Sequence, residues 1–292
     1  MKSSDTLQRF IFEHAAIRGE LVHLDSSWRT VLDRHDYPPA VRDLLGELMA
    51  ASALLSATLK FNGSIILQIQ GTGPVSLLVV ECTSERTLRG MAQWAGAPPP
   101  MPFPDLVGAG KFVITIDPRE TGQRYQGIVS LEGDTVSEVL ENYLLRSEQL
   151  DSRLWLAADP HQAAGMLLQK LPGRDAADTD MWDRATHLGA TLTRQELLGL
   201  PANEIIRRLY HEEDIRVFDS ETIEFHCSCS RERVANALRL LGYAEVQSIL
   251  AERSMIDVDC EFCNQHYTFD KVDAEQLFAA ANSSPPVSST RH

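Results

Sequence analysis

The sequence predicts an α+β fold with three parts: a mixed α/β N-terminal domain with an antiparallel sheet and helices, a helical linker, and a small C-terminal domain built on cysteines. Strand-like and helical segments do not alternate regularly over the first 175 residues, which favours α+β over a doubly wound sheet. Short, heavily charged helical patterns follow, and four of the five cysteines then lie between Cys227 and Cys263. Because 43% of the residues are hydrophobic, the chain can bury a substantial core.

The N-terminal domain is expected to cover residues 1–175. Helices are predicted at Pro38–Lys60, which is rich in Leu, Ala and Met and begins with proline, and at Asp134–Gln149. The apolar-rich segments predicted as strands are Phe10–Glu13, Glu20–Leu24, Ser64–Gln70, Val75–Cys82, Leu88–Trp94, Lys111–Ile116 and Arg124–Leu131. The GTGP sequence at 71–74 indicates a hairpin turn, and the proline-rich stretch 97–110 is predicted as a loop.

The linker is expected to cover residues 176–221. It begins near GRDAADTD (173–180), where the composition changes to small and acidic residues. Residues 181–221 have helical patterns, and Thr193 with Glu196 forms a capping-box signature. Because such short helices are marginal alone in water, the linker is predicted to be metastable and to need a surface to pack on.

The C-terminal domain is expected at 222–275, followed by a largely disordered tail at 276–292. Thr222–Cys227 and Met255–Cys260 alternate polar and apolar residues, so they are predicted as strands that bring the cysteine pairs together. Between them a helix is predicted at Arg231–Leu241, with Ser230 as its N-cap and Gly242 at its end.

The two cysteine pairs predict a zinc site. Cys227 and Cys229 have one residue between them, and Cys260 and Cys263 have two. Zinc prefers four soft ligands in a tetrahedron, and two close pairs at this separation are typical of metal sites. One Zn²⁺ per chain is expected, at the N-terminal end of the predicted helix, where Arg231 and Arg233 can offset the thiolate charge.

Other residues near the pairs are assigned plainer roles. His226 and His266 flank the site and can in principle serve as ligands, but a surface or supporting role is favoured for both. Cys82 lies in an apolar strand and is predicted to be an inert core residue.

The zinc is predicted to be removable. A CxC pair closes only a small, strained disulfide ring, and strained disulfides are the labile, regulatory kind. Thiolates are also the form that oxidants attack. Because a domain of about 50 residues depends on its metal, oxidation with metal loss would unfold it. The sequence therefore predicts a redox switch.

The net charge and the absence of enzyme motifs argue against several other classes of protein. The chain has 41 acidic and 27 basic side chains, a net charge of −14, so nucleic acid and anionic membranes are poor partners. Asp5, Gln8, Arg9 and Glu13 interrupt any signal-peptide core, which predicts a cytoplasmic protein. GxSxG, HExxH and phosphate-loop motifs are absent from the sequence, so no enzyme is predicted. A structural zinc-ribbon binding protein and a thiol oxidoreductase remain the alternatives.

The residues also carry a family resemblance. The matching segments are IRGELVHL, YPPAVRDLLGELMAASALLSATLKF, GSIILQIQGTGPV, YQGIV, SEQL, AAGMLLQKLPG, FHCSCSRERVANALRLLG and IDVDCEFCNQHYTFD. In these segments the chain resembles the 33-kilodalton heat-shock protein family of bacterial redox-regulated holdase chaperones. Asp151 and Ala164 depart from the family pattern, which calls for proline and glycine there.

The resemblance implies a specific activity. The reduced, zinc-bound form would be inactive, and oxidants would form the disulfides Cys227–Cys229 and Cys260–Cys263. Zinc would leave, the C-terminal domain would unfold, and the linker would be destabilised. The protein would then bind unfolded or partly unfolded client proteins without ATP, as a homodimer. The linker side chains that undocking would expose are Leu188, Leu192, Leu197, Leu198, Ile205, Ile206 and Leu209.

Overall fold

The computed structural model describes residues 5–58, 62–119, 122–172 and 180–282. The chain divides into two compact units, Met1–His226 and Cys227–His292. Among the described residues, no helix has both the length and the apolar composition needed to cross a membrane.

The first unit contains twelve strands and seven helices among the described residues. The strands are β1 Thr6–Phe12, β2 Ile17–Leu24, β3 Gly63–Gly71, β4 Val75–Thr83, β5 Thr87–Trp94, β6 Gly110–Pro118, β7 Tyr125–Ser130, β8 Ser152–Ala158, β9 Ala163–Lys170, β10 Ile215–Val217, β11 Glu221–Thr222 and β12 Glu224–Phe225. The helices are α1 Ser26–Leu32, α2 Pro39–Ala57, α3 Phe103–Val107, α4 Val136–Ser147, α5 Met181–Gly189, α6 Arg194–Gly199 and α7 Ala202–Tyr210.

These strands form two six-stranded sheets. The first has the order β10-β1-β2-β9-β8, with β11 also paired to β1, and the second has the order β12-β5-β4-β3-β6-β7. All pairs are antiparallel except the short parallel pair between β12 and β5. The GTGP sequence does form the turn between β3 and β4, which pair antiparallel as predicted.

Helix α2 fills the space between the sheets and contacts strands of both. Pro39 stands in its first turn, where a backbone N–H is not needed. Apolar residues occur all round this helix, and Leu45, Leu48 and Leu54 are fully buried in the main core. A helix that is apolar on every face is stable only when it is enclosed, which explains its central place.

Helices α5, α6 and α7 pack on the other face of the first sheet. Successive residues of β2 point to opposite faces, so Leu21 joins these helices in a second core while Val22 joins the main core. Phe10 and Phe12 of β1 lie beside Tyr210 of α7 in this second core. The segment predicted as a metastable linker therefore has its packing surface on this sheet.

Several sequence predictions for the first unit are wrong. Residues 215–221, predicted as helical, contain the strand β10 and the first residue of β11, and the proline-rich loop contains α3. The predicted strand Thr222–Cys227 contributes β11 and β12, which pair with β1 and β5 of the first unit and not with Met255–Cys260. The structural division at His226 thus differs from the predicted domain start at 222. The predicted end of α2 at Lys60 lies outside the described residues.

The second unit contains α8 Arg231–Leu241, α9 Tyr243–Arg253, the hairpin β13 Ile256–Asp259 and β14 His266–Phe269, and α10 Lys271–Asn282. Helix α8 has the predicted bounds. The side chain of Ser230 accepts a hydrogen bond from the Arg233 N–H, and Gly242 ends the helix at φ 92°, a conformation that favours glycine.

Helices α9 and α10 were not predicted. Because α10 continues to Asn282, residues 276–282 are helical and do not belong to a disordered tail. Residues 283–292, also predicted as disordered, lie outside the described residues.

Candidate metal centre

Two short connecting segments of the second unit carry the four cysteines. Cys227 and Cys229 precede the N-cap of α8, and Cys260 and Cys263 lie in the turn that joins β13 to β14. In that turn the N–H of Cys263 donates to the carbonyl of Cys260 at 3.2 Å, and the Asn264 N–H donates to the same oxygen at 2.7 Å. Asn264 has φ 56°, a left-handed conformation that asparagine tolerates better than most residues. The turn therefore keeps Cys260 and Cys263 close together, with their sulfur atoms within 4.8 Å of each other.

The structure brings the four predicted cysteines together. Their sulfur atoms all lie within 4.8 Å of one another. The Sγ atoms of Cys227 and Cys260 are 3.7 Å apart, and those of Cys229 and Cys263 are 3.3 Å apart. A tetrahedral ion with metal–sulfur bonds of about 2.3 Å, as zinc has, would separate its sulfur ligands by about 3.8 Å. The arrangement fits one tetrahedral metal ion.

Without a bound cation, burial and the close approach of the thiols raise the pKa values of Cys260 and Cys263. These effects disfavour the thiolate form of both residues. Burial raises the pKa of Cys260, and the nearby Cys227 thiol adds to this effect. Backbone N–H groups of Phe262 and Cys263 act in the opposite direction by hydrogen-bonding to the Cys260 sulfur. Burial and neighbouring thiols likewise raise the pKa of Cys263. A bound divalent cation reverses this balance, because its charge stabilises the deprotonated sulfurs.

Polar groups around the centre orient the sulfurs. The Tyr267 hydroxyl donates to the Cys229 sulfur at 3.2 Å, a contact that the sequence does not predict, since nothing in the pattern tells where a hydroxyl points. The Arg233 guanidinium donates to the Ser228 hydroxyl, between the first two cysteines, at 2.6 Å. Arg231, predicted to offset thiolate charge, instead pairs with Asp273 at 2.8 Å.

Neither flanking histidine belongs to the sulfur cluster. His226 donates its backbone N–H to the Leu88 carbonyl and lies in the first unit. The Nδ1 atom of His266 is 2.7 Å from an Asp259 carboxylate oxygen, and this hydrogen bond raises the pKa of His266.

Cys82 lies in the main core of the first unit and is fully buried on β4. Burial raises the pKa of its thiol to about 11, and the thiol donates to the Ser56 hydroxyl at 3.2 Å. A thiol protonated at neutral pH and closed off from solvent is unreactive.

The fold and the centre together define a class: an α+β protein whose C-terminal unit is built around four cysteines that can hold one metal ion. The family model described as "Hsp33 protein" matches residues 5–270. The chain belongs to the Hsp33 family.

Named relatives and a solved structure agree with this assignment. The chain is 55% identical over 280 residues to the "33 kDa chaperonin" of Methylobacillus flagellatus, covering 95% of this chain and 96% of the relative. It is 51% identical over 292 residues to the protein of the same name from Nitrosococcus oceani, covering all of both chains. The crystal structure of the "33 kDa chaperonin (Heat shock protein 33 homolog)" from Thermotoga maritima matches with a TM-score of 0.81 over 96% of this chain and 99% of that one, at 22% identity. At that identity the structure shows a shared fold.

Proposed function

We propose that this protein is a redox-regulated, ATP-independent chaperone of the holdase type, inactive while one Zn²⁺ is held by Cys227, Cys229, Cys260 and Cys263. Membership of a family of chaperonins supports the chaperone activity. The observation that carries the regulation is the set of four sulfurs within 4.8 Å, in a unit with little apolar core of its own.

The donor set supports zinc as the ion. Four soft thiolate ligands in a closed tetrahedron are typical of structural zinc, whereas calcium and magnesium prefer oxygen. Bound there, Zn²⁺ would cross-link the two cysteine-bearing segments. The residues of the chain place and orient the sulfurs through the α8 cap, the Asn264 turn and the Tyr267 hydroxyl.

The proposed switch is the oxidation of these thiols by a peroxide or hypochlorous acid. Each disulfide forms as two thiolates give up two electrons to the oxidant, which is reduced to hydroxide or to chloride and hydroxide. The proposed bonds are Cys227–Cys229 and Cys260–Cys263. Close sulfur contacts join Cys227 to Cys260 and Cys229 to Cys263, one cysteine from each pair, so the reduced arrangement alone does not select the disulfide partners.

Client binding is proposed to follow from unfolding of the cysteine unit and undocking of α5, α6 and α7. These helices bury an amphipathic face on the first sheet, with Ile205, Ile206 and Leu209 of α7 in the second core. Undocking would uncover this face together with the apolar sheet surface beneath it. Unfolded or partly unfolded proteins would be the clients, and the active form would be a cytoplasmic homodimer. The charge of −14 disfavours nucleic acid and membranes as partners.

The alternative as a thiol oxidoreductase has less support. The Cys260–Cys263 turn joins two strands of a hairpin, while the redox CxxC of thioredoxin-like units opens a helix. Reduction of insulin disulfides by catalytic amounts of the protein would favour this alternative.

The test is an oxidant titration with zinc release and client aggregation followed side by side. We expect one zinc per chain before oxidation and suppressed aggregation of a heat-labile client only after the zinc has left. The Cys82→Ser variant, which keeps all four cluster cysteines, should titrate like the parent. An oxidised, zinc-free chain that fails to suppress aggregation would remove the proposal, and peptide mapping would assign the disulfide partners.

A further inference from the structure

Helices α6 and α7 meet at Pro201, and this corner leaves one backbone carbonyl of α6 without its usual partner. In an α-helix the carbonyl of residue 197 accepts a hydrogen bond from the N–H of residue 201. Proline has no backbone N–H, so Pro201 cannot supply that donor. Because Leu197 is buried in the second core, its carbonyl needs a donor from elsewhere in the fold.

His23 of β2 supplies that donor. Its ring nitrogen Nε2 lies 2.9 Å from the Leu197 carbonyl oxygen. A carbonyl oxygen can only accept, so the proton of this hydrogen bond belongs to Nε2. Leu21, two residues earlier on the same face of β2, packs in the second core with α5, α6 and α7. The imidazole of His23 therefore joins the corner between α6 and α7 to the sheet on which these helices pack.

The His23 ring can gain a positive charge near neutral pH. The ring is partly buried between the sheet and α6. Burial lowers its pKa from the usual 6.5, and the hydrogen bond to the Leu197 carbonyl opposes this to a smaller extent. Protonation leaves that hydrogen bond in place, because Nε2 carries a hydrogen in both forms. The energetic cost of protonation is therefore that of a charge held under α6 and away from water.

The helices above His23 offer that charge no carboxylate partner among the described residues, since the pKa of His23 responds to burial and the Leu197 carbonyl and to no nearby charge. The charged residues of α6 and α7 are Arg194, Glu196, Glu204, Arg207 and Arg208. Glu196 pairs with Arg208 at 2.5 Å. Glu204 pairs with Arg207 at 3.0 Å. Both carboxylates are thus already paired with arginines.

The strands beside His23 add no partner either within the described part of the chain. The residues opposite it are Thr6 on β1 and Ala164 on β9, and neither can carry a charge. Asp25, which follows β2, pairs with Arg29 at 2.7 Å. A protonated His23 would therefore lie in the interface without an opposite charge to balance it.

Glu47 of α2 also titrates near neutral pH and is close to this corner. Burial raises its pKa to about 7, against the opposing charge of Arg194 on α6. Arg194 itself lies 3.7 Å from Asp43, which raises the pKa of Glu47 further. Because protonation of Glu47 removes an attraction for Arg194, its contribution has to be separated from that of His23 by experiment.

We propose that His23 is an acid-sensitive anchor of the docked helices, so that protonation of its ring weakens the packing of α5, α6 and α7 on the first sheet. The docked chain binds the proton of His23 less readily than the undocked chain, whose imidazole has the usual pKa of 6.5. Docking is therefore at full strength above pH 6.5 and weakens as the pH falls below that value.

This inference rests on the proposed function in one respect, since undocking of these helices is the step that would uncover the client surface. In the zinc-bound chain the docked state still predominates in acid, and that form stays inactive. Once zinc has left, a more acidic medium would increase the fraction of chains with undocked helices.

The experiment follows amide hydrogen exchange of the full-length, zinc-bound chain by mass spectrometry between pH 7.5 and 5.5. Each rate is divided by the intrinsic rate at that pH, so that the ratio reports how often a segment opens. We expect openings of residues 194–210 to become about fivefold more frequent at pH 5.5. Unchanged protection of α8 and an unchanged zinc content would show that the second unit has kept its metal.

Two histidine variants form a matched pair. His23→Gln keeps an N–H donor near the position of Nε2 but cannot titrate, so its pH response should be less than about twofold. His187→Gln is the control, because His187 is exposed on α5 and its ring contacts a carbonyl of its own helix, that of Asp183. The control and Glu47→Gln should both keep the fivefold response of the parent.

A second measurement needs no variant. The midpoint of the His23 ring titration, followed by NMR in the parent chain, is expected below 6.5. A midpoint at or above 6.5 would overturn the proposal. So would a fivefold response that persists in His23→Gln, and loss of the response in Glu47→Gln alone would assign it to Glu47 instead.

Neither readout uses an oxidant or a client protein, so the two proposals can fail separately. An oxidised, zinc-free chain that does not suppress aggregation removes the redox-regulated function and leaves the His23 anchor in place. A missing pH response with normal activation by oxidants removes only the anchor.

Discussion

The two units differ in what can hold them folded. The first unit encloses α2 between two sheets and adds a second core beneath α5, α6 and α7. Among its described residues, the second unit has a core of seven buried apolar residues, of which two are alanine. Small domains with so little core normally need metal or disulfides to stay folded. Under the proposed zinc binding, loss of one ion would therefore unfold the second unit and leave the first intact.

The largest expected effect is metal removal from the reduced protein. A strong chelator should abolish the helical signal of α8, α9 and α10, because structural zinc sites contribute on the order of 10 kcal/mol to folding. Hydrogen exchange followed by mass spectrometry checks this: amides in the second unit should lose protection while those of β3, β4 and α2 keep it. Persistent protection of α8 in the metal-free chain would contradict the comparison. Cys82→Ser should respond to the chelator as the parent does.

The next largest effects are expected when a buried leucine in the core of either unit is truncated to alanine. Leu48→Ala in α2 should lower the free energy of unfolding of the first unit by about 3–5 kcal/mol while leaving zinc affinity unchanged. Leu238→Ala in α8 should instead weaken zinc binding, because folding of the second unit is coupled to the metal.

For Leu238→Ala, a loss of about 2 kcal/mol corresponds to about a thirtyfold rise in the zinc Kd, measured by chelator competition. Leu240→Ala is the control, since Leu240 is 90% exposed two positions away and its truncation should change stability by less than about 0.5 kcal/mol. Equal zinc Kd values for the two variants would show that burial of Leu238 in the small core does not contribute to zinc binding.

The first unit has a weak point of its own at Glu20, whose effect depends on pH. Burial raises its pKa to about 7, against the opposing charges of Arg18, Arg9 and Arg86. One carboxylate oxygen, Oε2, has no hydrogen-bond partner among the described residues. Because the folded pKa lies above the unfolded value of 4.5, the stabilising contribution is complete below pH 4.5 and is lost as the pH rises to about 7.

Glu20→Gln should therefore stabilise the first unit above pH 7 by up to about 3 kcal/mol, and the gain should vanish near pH 4.5. Urea unfolding from pH 4.5 to 8 measures this, with the exposed Glu85→Gln as control. A variant destabilised at pH 8 would instead mean that Glu20 is charged and held by Arg18.

The smallest expected effect is at Tyr267. Tyr267→Phe removes the hydrogen bond to the Cys229 sulfur, which is worth about 1 kcal/mol, so zinc release to a chelator should accelerate about fivefold. Tyr243→Phe is the matched control, because its hydroxyl bonds to Glu275 and not to sulfur. Equal release rates for both variants would show that the contact does not hold the metal.

The elements that could be predicted from the sequence are marked by short motifs of residues close together in the chain. Helix α8 follows from a Ser230 cap and a Gly242 end, the β3–β4 hairpin from its turn, and the cysteine cluster from its spacing. The helix, the hairpin and each of the two cysteine pairs depend on residues that are neighbours in the sequence.

The parts that were missed depend on distant partners. Strand β9 is buried on both faces, so it lacks the alternation that marks a half-exposed strand. Strands β10, β11 and β12 have two or three residues each and exist only through pairing with β1 and β5. Helix α9 follows directly after Gly242, which ends α8. Its N-terminus has no side-chain cap, so the sequence carries no capping signal for its start.

The placement of α5, α6 and α7 between β9 and β10 has a consequence for polymer entropy. Both strands belong to the first sheet, so the segment between them is tied to that sheet at both ends. If the helices undock, they become a closed loop and not a free tail, and the loop gains less disorder than a free chain of equal length. Its apolar side chains stay concentrated within reach of the face they left. Return to that face would then be an intramolecular search over a short distance, which favours rapid redocking of the helices on the sheet.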